Sequence, residues 1–320
     1  MRSKLIANPR AGRKAGLPTN GATLDAALTA LAGRDIAPDV EMTRGPGHAT
    51  ELARAAARAG YDRVIAAGSD GTVRETAVGL LGSGATLGIM PLGSFMNVAH
   101  MLAIPRDVRE AAAVIAGGEQ AVIDMGRAGE HYFLEAAGVG LDAALFRQTN
   151  RLDAGHWDAL GTAARIALTY RPQRLVVEMD CWTVEMDALM VTVANGPYCG
   201  AALTVAPGAV VDDHRLDVRV YGPMSPWSLF RRLARPPSGD GDGDSDDAVS
   251  SFKARDVRIS APHPLPGHAD SVSIGVTPLR FSLIPGALTV LVPADMRSRH
   301  AALSHPPVHT DTDLYAEASS

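Results

Sequence analysis

The five residues Gly68-Ser69-Asp70-Gly71-Thr72 are where this sequence writes its chemistry most directly. They follow the apolar run Arg63–Ala67 and open a pattern from Thr72 whose small and aliphatic residues recur at helical spacing. A Gly-containing turn from strand to helix leaves several backbone N–H groups aimed at one point, with the positive end of the helix dipole behind them. That arrangement cradles a phosphate. It is equally a plain turn capped by Asp70 and Thr72, and the pentapeptide alone leaves both readings open.

Two further loops add weight to the first reading. Asn8-Pro9-Arg10-Ala11-Gly12 follows the first apolar run of the chain, and Pro91-Leu92-Gly93-Ser94 follows the fourth. Neither is GxxxxGK[ST] and none of the three reads GxGxxG, so a P-loop NTPase and a dinucleotide-binding dehydrogenase are both unsupported.

The elements that must position these loops are legible from their rhythm. Lys4–Asn8, Asp39–Thr43, Arg63–Ala67 and Thr86–Met90 read as buried strands. Thr23–Ala32, Ala49–Ala59 and Thr72–Leu81 between them carry helical periodicity. Strand and helix in strict turn predict a parallel α/β sheet, whose ligands bind beyond the carboxyl ends of the strands. All three loops lie there. After Asp124 the rhythm shifts to short β-branched runs at Tyr132–Ala136, Arg174–Met179, Leu189–Ala194, Leu216–Val220, Val257–Ser260 and Leu288–Val292, which predicts an antiparallel β unit with one helix near Trp157–Thr169. The expected organisation is an α/β unit over 1–124, an all-β unit over 125–296 with a low-complexity acidic insert at 236–251, and a polar tail over 297–320.

With the motifs in place, the chain resembles the diacylglycerol kinase catalytic family, which includes bacterial lipid kinases and sphingosine kinases. The resemblance rests on NPRAG (Asn8–Gly12), AAGSDGTVRE (Ala66–Glu75), LGIMPLGSFMNVAHMLAIP (Leu87–Pro105), FLEAAGVGLDA (Phe133–Ala143), VAPGAVVDDHRLDV (Val205–Val218) and TPLRFSLIPGALTVLVP (Thr277–Pro293), in that order. It implies a nucleotide-binding α/β domain followed by a β-sandwich domain, and transfer of the γ-phosphoryl of ATP, with Mg²⁺, to a lipid hydroxyl such as that of diacylglycerol. Carried over residue by residue, it implies nucleotide contacts from Asn8, Pro9, Gly12, Thr43, Gly68, Ser69, Asp70, Gly71, Thr72, Arg74, Gly93 and Ser94. It implies a second-domain metal site at Asp213, with backbone oxygens of neighbours such as Val210 and Arg215. It also matches Asp270 to the Asp of the family's DGE motif, whose Glu is assigned as proton acceptor.

The departures are specific. Ser69 stands where the family usually has Gly, and if that position needs φ > 0 a side chain there costs roughly 1–2 kcal/mol. Gly93-Ser94-Phe95-Met96 replaces GTxN, and LDDG-x-L becomes Val211-Asp212-Asp213-His214-Arg215-Leu216. DGE becomes Asp270-Ser271-Val272, which leaves Asp270 as the carboxylate that could take the proton. A catalytically silent nucleotide- or lipid-binding protein of the same fold is the rival reading.

Composition excludes other classes. A net charge of −5 gives no general attraction to nucleic acid. Cys181 and Cys199 show no metal-ligand spacing and read as two buried free thiols. His214, His263 and His268 match no zinc pattern, and His100 reads as a surface residue. The N-terminus lacks the apolar core of a signal peptide, and no stretch reaches the ~18 apolar residues of a membrane helix. A cytoplasmic enzyme is expected, with a homodimer left open. Ser225–Arg235 combines Trp227 and Phe230 with Arg231, Arg232 and Arg235, either resting transiently on a membrane surface or packing on the second domain.

Overall fold

The computed structural model describes residues 1–14, 17, 18, 20–153, 156, 158–234, 248–270, 272–294 and 296. Trp157, Arg235, Ser271, most of the acidic insert and the tail over 297–320 fall outside the described residues.

The first half builds a parallel sheet in the order Asp39–Met42, Ser3–Ala7, Arg63–Gly68, Thr86–Pro91. Arg63–Gly68 and Thr86–Pro91 are buried at every position, as strands covered on both faces must be. Helices His48–Arg58 and Asp70–Leu80 pack together, as do Leu24–Ala32 and Val108–Gly117, and their aliphatic faces close one core with Leu5, Ile65, Leu87 and Ile89. The strands and helices expected here are present within two residues at each end, but Asp39–Met42, expected to be buried, is mostly exposed because it forms the edge of the sheet.

The second half is a sandwich. One sheet runs Val249–Ala254, Leu216–Tyr221, Met190–Ala194, Ala136–Gly140, Pro266–Ala269, Val272–Val276. Its strands alternate faces: Val191, Val193, Val218 and Val220 point into the sandwich core, while Met190, Ala194 and Tyr221 meet residues of the helices Leu141–Asp153, Asp158–Thr169 and Pro226–Leu233. The opposing layer, Trp182–Ala188, Gln173–Met179 and Asp256–Ser260, continues edge to edge into the first unit's parallel sheet.

The strand that joins them is Leu279–Val292. It pairs antiparallel with Glu119–Ala128, shifts register between Ile284 and Leu288, and ends beside Thr86–Pro91 through Val290 and Leu87. The expected strand Leu288–Val292 is therefore the end of a much longer one, and Asp124 lies within a continuous strand. Elements not read from the sequence include Glu119–Ala128, Trp182–Ala188, Val249–Ala254, Pro266–Ala269, Val272–Val276 and the helices Val108–Gly117 and Leu141–Asp153. The expected strand Tyr132–Ala136 divides into His131–Phe133 and Ala136–Gly140, because the intervening backbone N–H groups bond to a side chain instead of a neighbouring strand. Cys199 is buried as expected, but Cys181 is exposed, since it sits in the turn between two outer strands.

Gly126 shows how closely the sandwich is packed. Phe133 is fully buried directly over it, and a Cβ at residue 126 would fall inside the Phe133 ring. Overpacking of this kind costs typically 1–3 kcal/mol. We expect Gly126→Ala to lower the urea midpoint with an unchanged slope, and the double variant with Phe133→Leu to recover part of the loss.

Candidate active site at the junction of the two units

The three loops converge because short side chains and backbone groups stitch them together. The Asn8 amide donates to Thr72 Oγ1 at 3.3 Å, while its carbonyl oxygen accepts from Arg10 N and shapes the Pro9 turn. Thr43 N donates to Ala7 O at 2.8 Å, placing Thr43 at the same sheet edge. Gly12 adopts φ 72° with Leu92 O only 2.9 Å from where a Cβ would lie. The Asn20 amide donates to Gly93 O at 2.9 Å, and Gly93 leaves 2.5 Å between a would-be Cβ and Ser69 Cα. Every expected first-domain residue from Asn8 to Ser94 thus lies on, or in the first turns beyond, the carboxyl edge of the parallel sheet.

Three of them hold places different from the sequence reading. The helix begins at Asp70, so Asp70, Gly71 and Thr72 form its first turn. Asp70 Oδ1 accepts from Val98 N at 2.9 Å, so the carboxylate ties this loop to the N-terminus of the helix Asn97–Met101. Ser69 has φ −89° and ψ 177°, which any residue adopts, so the strain expected from replacing Gly is absent. Arg74, one turn into the helix, has a buried Nε without a hydrogen-bond partner and faces the acidic group described next.

Asp270 enters from the second unit. It sits at φ 41° after the strand Pro266–Ala269, and its two oxygens accept three backbone N–H bonds, from Leu134 (2.6 Å), Glu135 (2.9 Å) and Ala136 (3.1 Å). Burial pushes its carboxyl up to about 6, against the pull of those N–H groups and of Arg74. Val272, in the position of the expected Glu, is half-buried in the next strand.

A carboxyl that sequence reasoning missed lies at the centre. Glu135 accepts from the Asn97 amide at 2.7 Å, and the same amide nitrogen donates to Gly200 O at 2.9 Å. Burial, then Asp70 and Asp270, hold Glu135 well above the usual carboxylate range. Burial also raises Asp70. The signal was a single acidic residue in the otherwise apolar run Phe133–Gly140. Cys199 borders this group, and burial holds its thiol well above its ordinary value, which removes it as a nucleophile.

The other histidines and the metal residues lie elsewhere. His268 bonds Asp142 at 3.1 Å and stacks on Phe146, His263 is exposed, and His100 stacks on Tyr198 with centroids 4.4 Å apart. Among the described residues no cluster of three His, Cys, Asp or Glu side chains could hold a metal. Asp213 accepts from Arg215 N at 3.0 Å and from Lys253 Nζ at 2.6 Å, so an ammonium group already stands where a metal cation would meet this carboxylate. That donor set does not fit a divalent ion, which needs free oxygen ligands.

The edge of a parallel α/β sheet thus faces carboxyls borne on a β-sandwich. Residues 2–128 match the model "Diacylglycerol kinase catalytic domain" and residues 136–292 match "YegS C-terminal NAD kinase beta sandwich-like domain". The first unit belongs to the diacylglycerol kinase catalytic-domain family, and the second to the YegS-type C-terminal sandwich family. It is similar to a Klebsiella pneumoniae (strain 342) protein described as "Probable lipid kinase YegS-like", 28% identical over 291 residues, which cover 88% of this chain and 94% of the relative. A Chromohalobacter salexigens protein of the same description is 29% identical over 280 residues, 83% of this chain and 86% of its own length. The fold is also that of a crystal structure described as a diacylglycerol kinase from Bacillus anthracis str. Sterne, with TM-score 0.72, 22% identity, and coverage of 92% of this chain and 98% of that one.

The raised carboxyls give a pH signature with a definite sign. The folded protein keeps protons that the unfolded chain releases, so each such group lowers stability as pH rises from the ordinary carboxylate range toward its folded value. For Asp270 that window runs from 3.8 to about 6, and for Glu135 it runs upward from 4.5. Glu135→Gln keeps the shape without a titrating group. We expect it to raise the thermal midpoint near neutral pH and to match the wild type near pH 4; a loss of stability near neutral pH would show instead that an ionised Glu135 supports the fold.

Proposed function

We propose that this protein transfers the γ-phosphoryl group of Mg-ATP to the hydroxyl of a lipid such as diacylglycerol. The observation that carries the reading is the junction itself: three loops at the carboxyl edge of a parallel sheet, clasped by Asp70, face the Asp270 and Glu135 carboxyls of the second unit. The free N–H groups of the helix starting at Asp70 would hold phosphate oxygens, and the unpartnered Arg74 Nε would meet charge at the transferred group. Divalent magnesium arriving with the nucleotide would neutralise phosphate charge.

In the transfer, the lipid oxygen forms a bond to the γ-phosphorus as the bond to the β–γ bridging oxygen breaks, and ADP carries away that electron pair. The hydroxyl proton goes to a carboxylate. Burial and the neighbouring carboxyls favour the protonated form of Glu135, and Asp270 Oδ2, with a single N–H bond, keeps a lone pair to accept the proton. Phosphoryl transfer depends more on positioning and charge than on proton abstraction, so loss of the Glu at Val272 slows the reaction, by about 10²–10⁴-fold, without abolishing it.

Two features support a lipid acceptor. A cavity of about 570 Å³ at the junction is lined largely by apolar side chains, including Met101, Ile104, Pro197, Tyr198 and Pro207, and has a size suited to an acyl chain. On the helix Pro226–Leu233, Leu229 and Leu233 are buried while Trp227 and Phe230 remain exposed and stacked on each other at 5.9 Å, next to Arg231. No helix among the described residues is long and apolar enough to cross a membrane, so lipid would be met at a surface.

Incubation with γ-labelled ATP and mixed lipid vesicles should give slow labelling of an organic-soluble product, faster in Val272→Glu. Gly71 has open space around a would-be Cβ, so Gly71→Ala should keep or raise stability while weakening ATP binding about tenfold by crowding the phosphates. Tight ATP binding with no labelled lipid from either the wild type or Val272→Glu would favour the silent nucleotide-binding reading. Trp227→Ala with Phe230→Ala should slow labelling of vesicle lipid several-fold and leave detergent-dispersed lipid unaffected; an equal loss on both would reject the surface role.

A further inference from the structure

The turn that the family resemblance would give to a metal is filled by this chain's own cations. Lys253 Nζ lies 2.6 Å from Asp213 Oδ2 and 3.3 Å from Asp217 Oδ2, bridging two carboxylates from the opposite side of the Leu216–Ala254 strand pairing. Arg255 Nε donates to the His214 carbonyl oxygen at 3.2 Å, occupying an oxygen of the same turn. His214 itself turns back onto Asp124: its Nδ1–H donates to Asp124 Oδ1 at 2.9 Å and its backbone N–H to Oδ2 at 2.8 Å. Gly286 N completes that fully buried carboxylate at 2.7 Å.

Two details argue that this is a substitution. His214 adopts φ 59°, a conformation suited to Gly, and carries a bulky ring there. A residue held in that region persists where its surroundings compensate it, and here the compensation is the pair of bonds to Asp124. Lys253 is one of only three lysines in a chain whose other side-chain cations, histidines aside, are arginines, and it is the one placed between Asp213 and Asp217. A compact ammonium with three donors is a point charge that can take a cation's place between two carboxylates.

We infer that Lys253 and His214 replace a divalent ion at this turn, so that the second unit of this protein is organised by internal cations and needs no structural metal. Asp213, Asp217 and Asp124 then serve to hold the Val211–Leu216 turn between Glu119–Ala128 and Val249–Ala254.

The test uses the full chain without nucleotide. The wild type, dialysed and analysed by elemental mass spectrometry, should hold no stoichiometric divalent metal, and its thermal midpoint should be the same in chelator and in millimolar Mg²⁺. Lys253→Met leaves Asp213 and Asp217 facing each other uncompensated. Its midpoint should fall by about 3 °C or more, and Mg²⁺ should restore part of the loss by binding the folded state. His214→Gly, which suits the backbone but frees Asp124, should gain a Mg²⁺ response as well. Bound metal in the wild type, or a wild-type midpoint that drops on chelation, overturns the inference even where Lys253→Met fails to fold. A Lys253→Met protein with an unchanged midpoint and no Mg²⁺ response overturns it equally.

Discussion

One carboxylate decides how the two units of this molecule meet. Asp270 receives the N–H groups of Leu134, Glu135 and Ala136, and its own N–H donates to Ala136 O. Those three N–H groups sit where the chain leaves the sheet containing Glu119–Ala128 and enters the other sheet of the sandwich, so no strand is available to satisfy them. An unpaired buried N–H costs on the order of 1–3 kcal/mol, and three in a row would unmake the crossing. Bonded to Asp270, they fix the backbone of Glu135, whose side chain reaches Asn97 in the first unit, and Asn97 begins the helix whose Val98 N–H bonds Asp70. Nucleotide loop and sandwich are thereby joined by a run of short polar contacts whose far ends, Asp70 and Asp270, are 200 residues apart in sequence.

What the sequence made legible follows from range. Three of the four parallel strands and their loops were readable because each is a local apolar run ended by Gly, Pro or Asn, and a parallel sheet fixes where such ends must gather. The family motifs placed Asp70, Asn8 and Gly93 at one edge, and the structure keeps them there. The length of Leu279–Val292 was hidden because its pairing with Glu119–Ala128, including the register shift near Ile284, depends on contacts about 160 residues away. Glu135 was hidden for the same reason: its meaning comes from Asn97, Asp70 and Asp270, none of which is near it in sequence. Ser69 failed as a strain argument because a motif gives residue type and position but not φ.

The distribution of charge separates the two ends of the second unit by purpose. At the turn Val211–Leu216 Asp213 and Asp217 are met by Lys253, and Asp124 by His214 and backbone N–H groups. At the junction the matching is left incomplete. Asp70, Glu135 and Asp270 share one buried region, the Arg74 Nε nearby has no partner, and the Asn97 Oδ1 is buried unbonded. Both regions are built from the same residue types, so composition does not account for the difference. An arrangement selected for stability alone would neutralise the junction as thoroughly as the turn, since uncompensated buried carboxyls oppose folding near neutral pH. Leaving it unsatisfied makes sense where a ligand supplies the missing partners and where one carboxyl must stay ionised while its neighbour holds a proton. The cost falls on the folded protein at rest, and the incomplete matching at the junction, more than the sandwich or the sheet, is what the proposed phosphoryl transfer rests on.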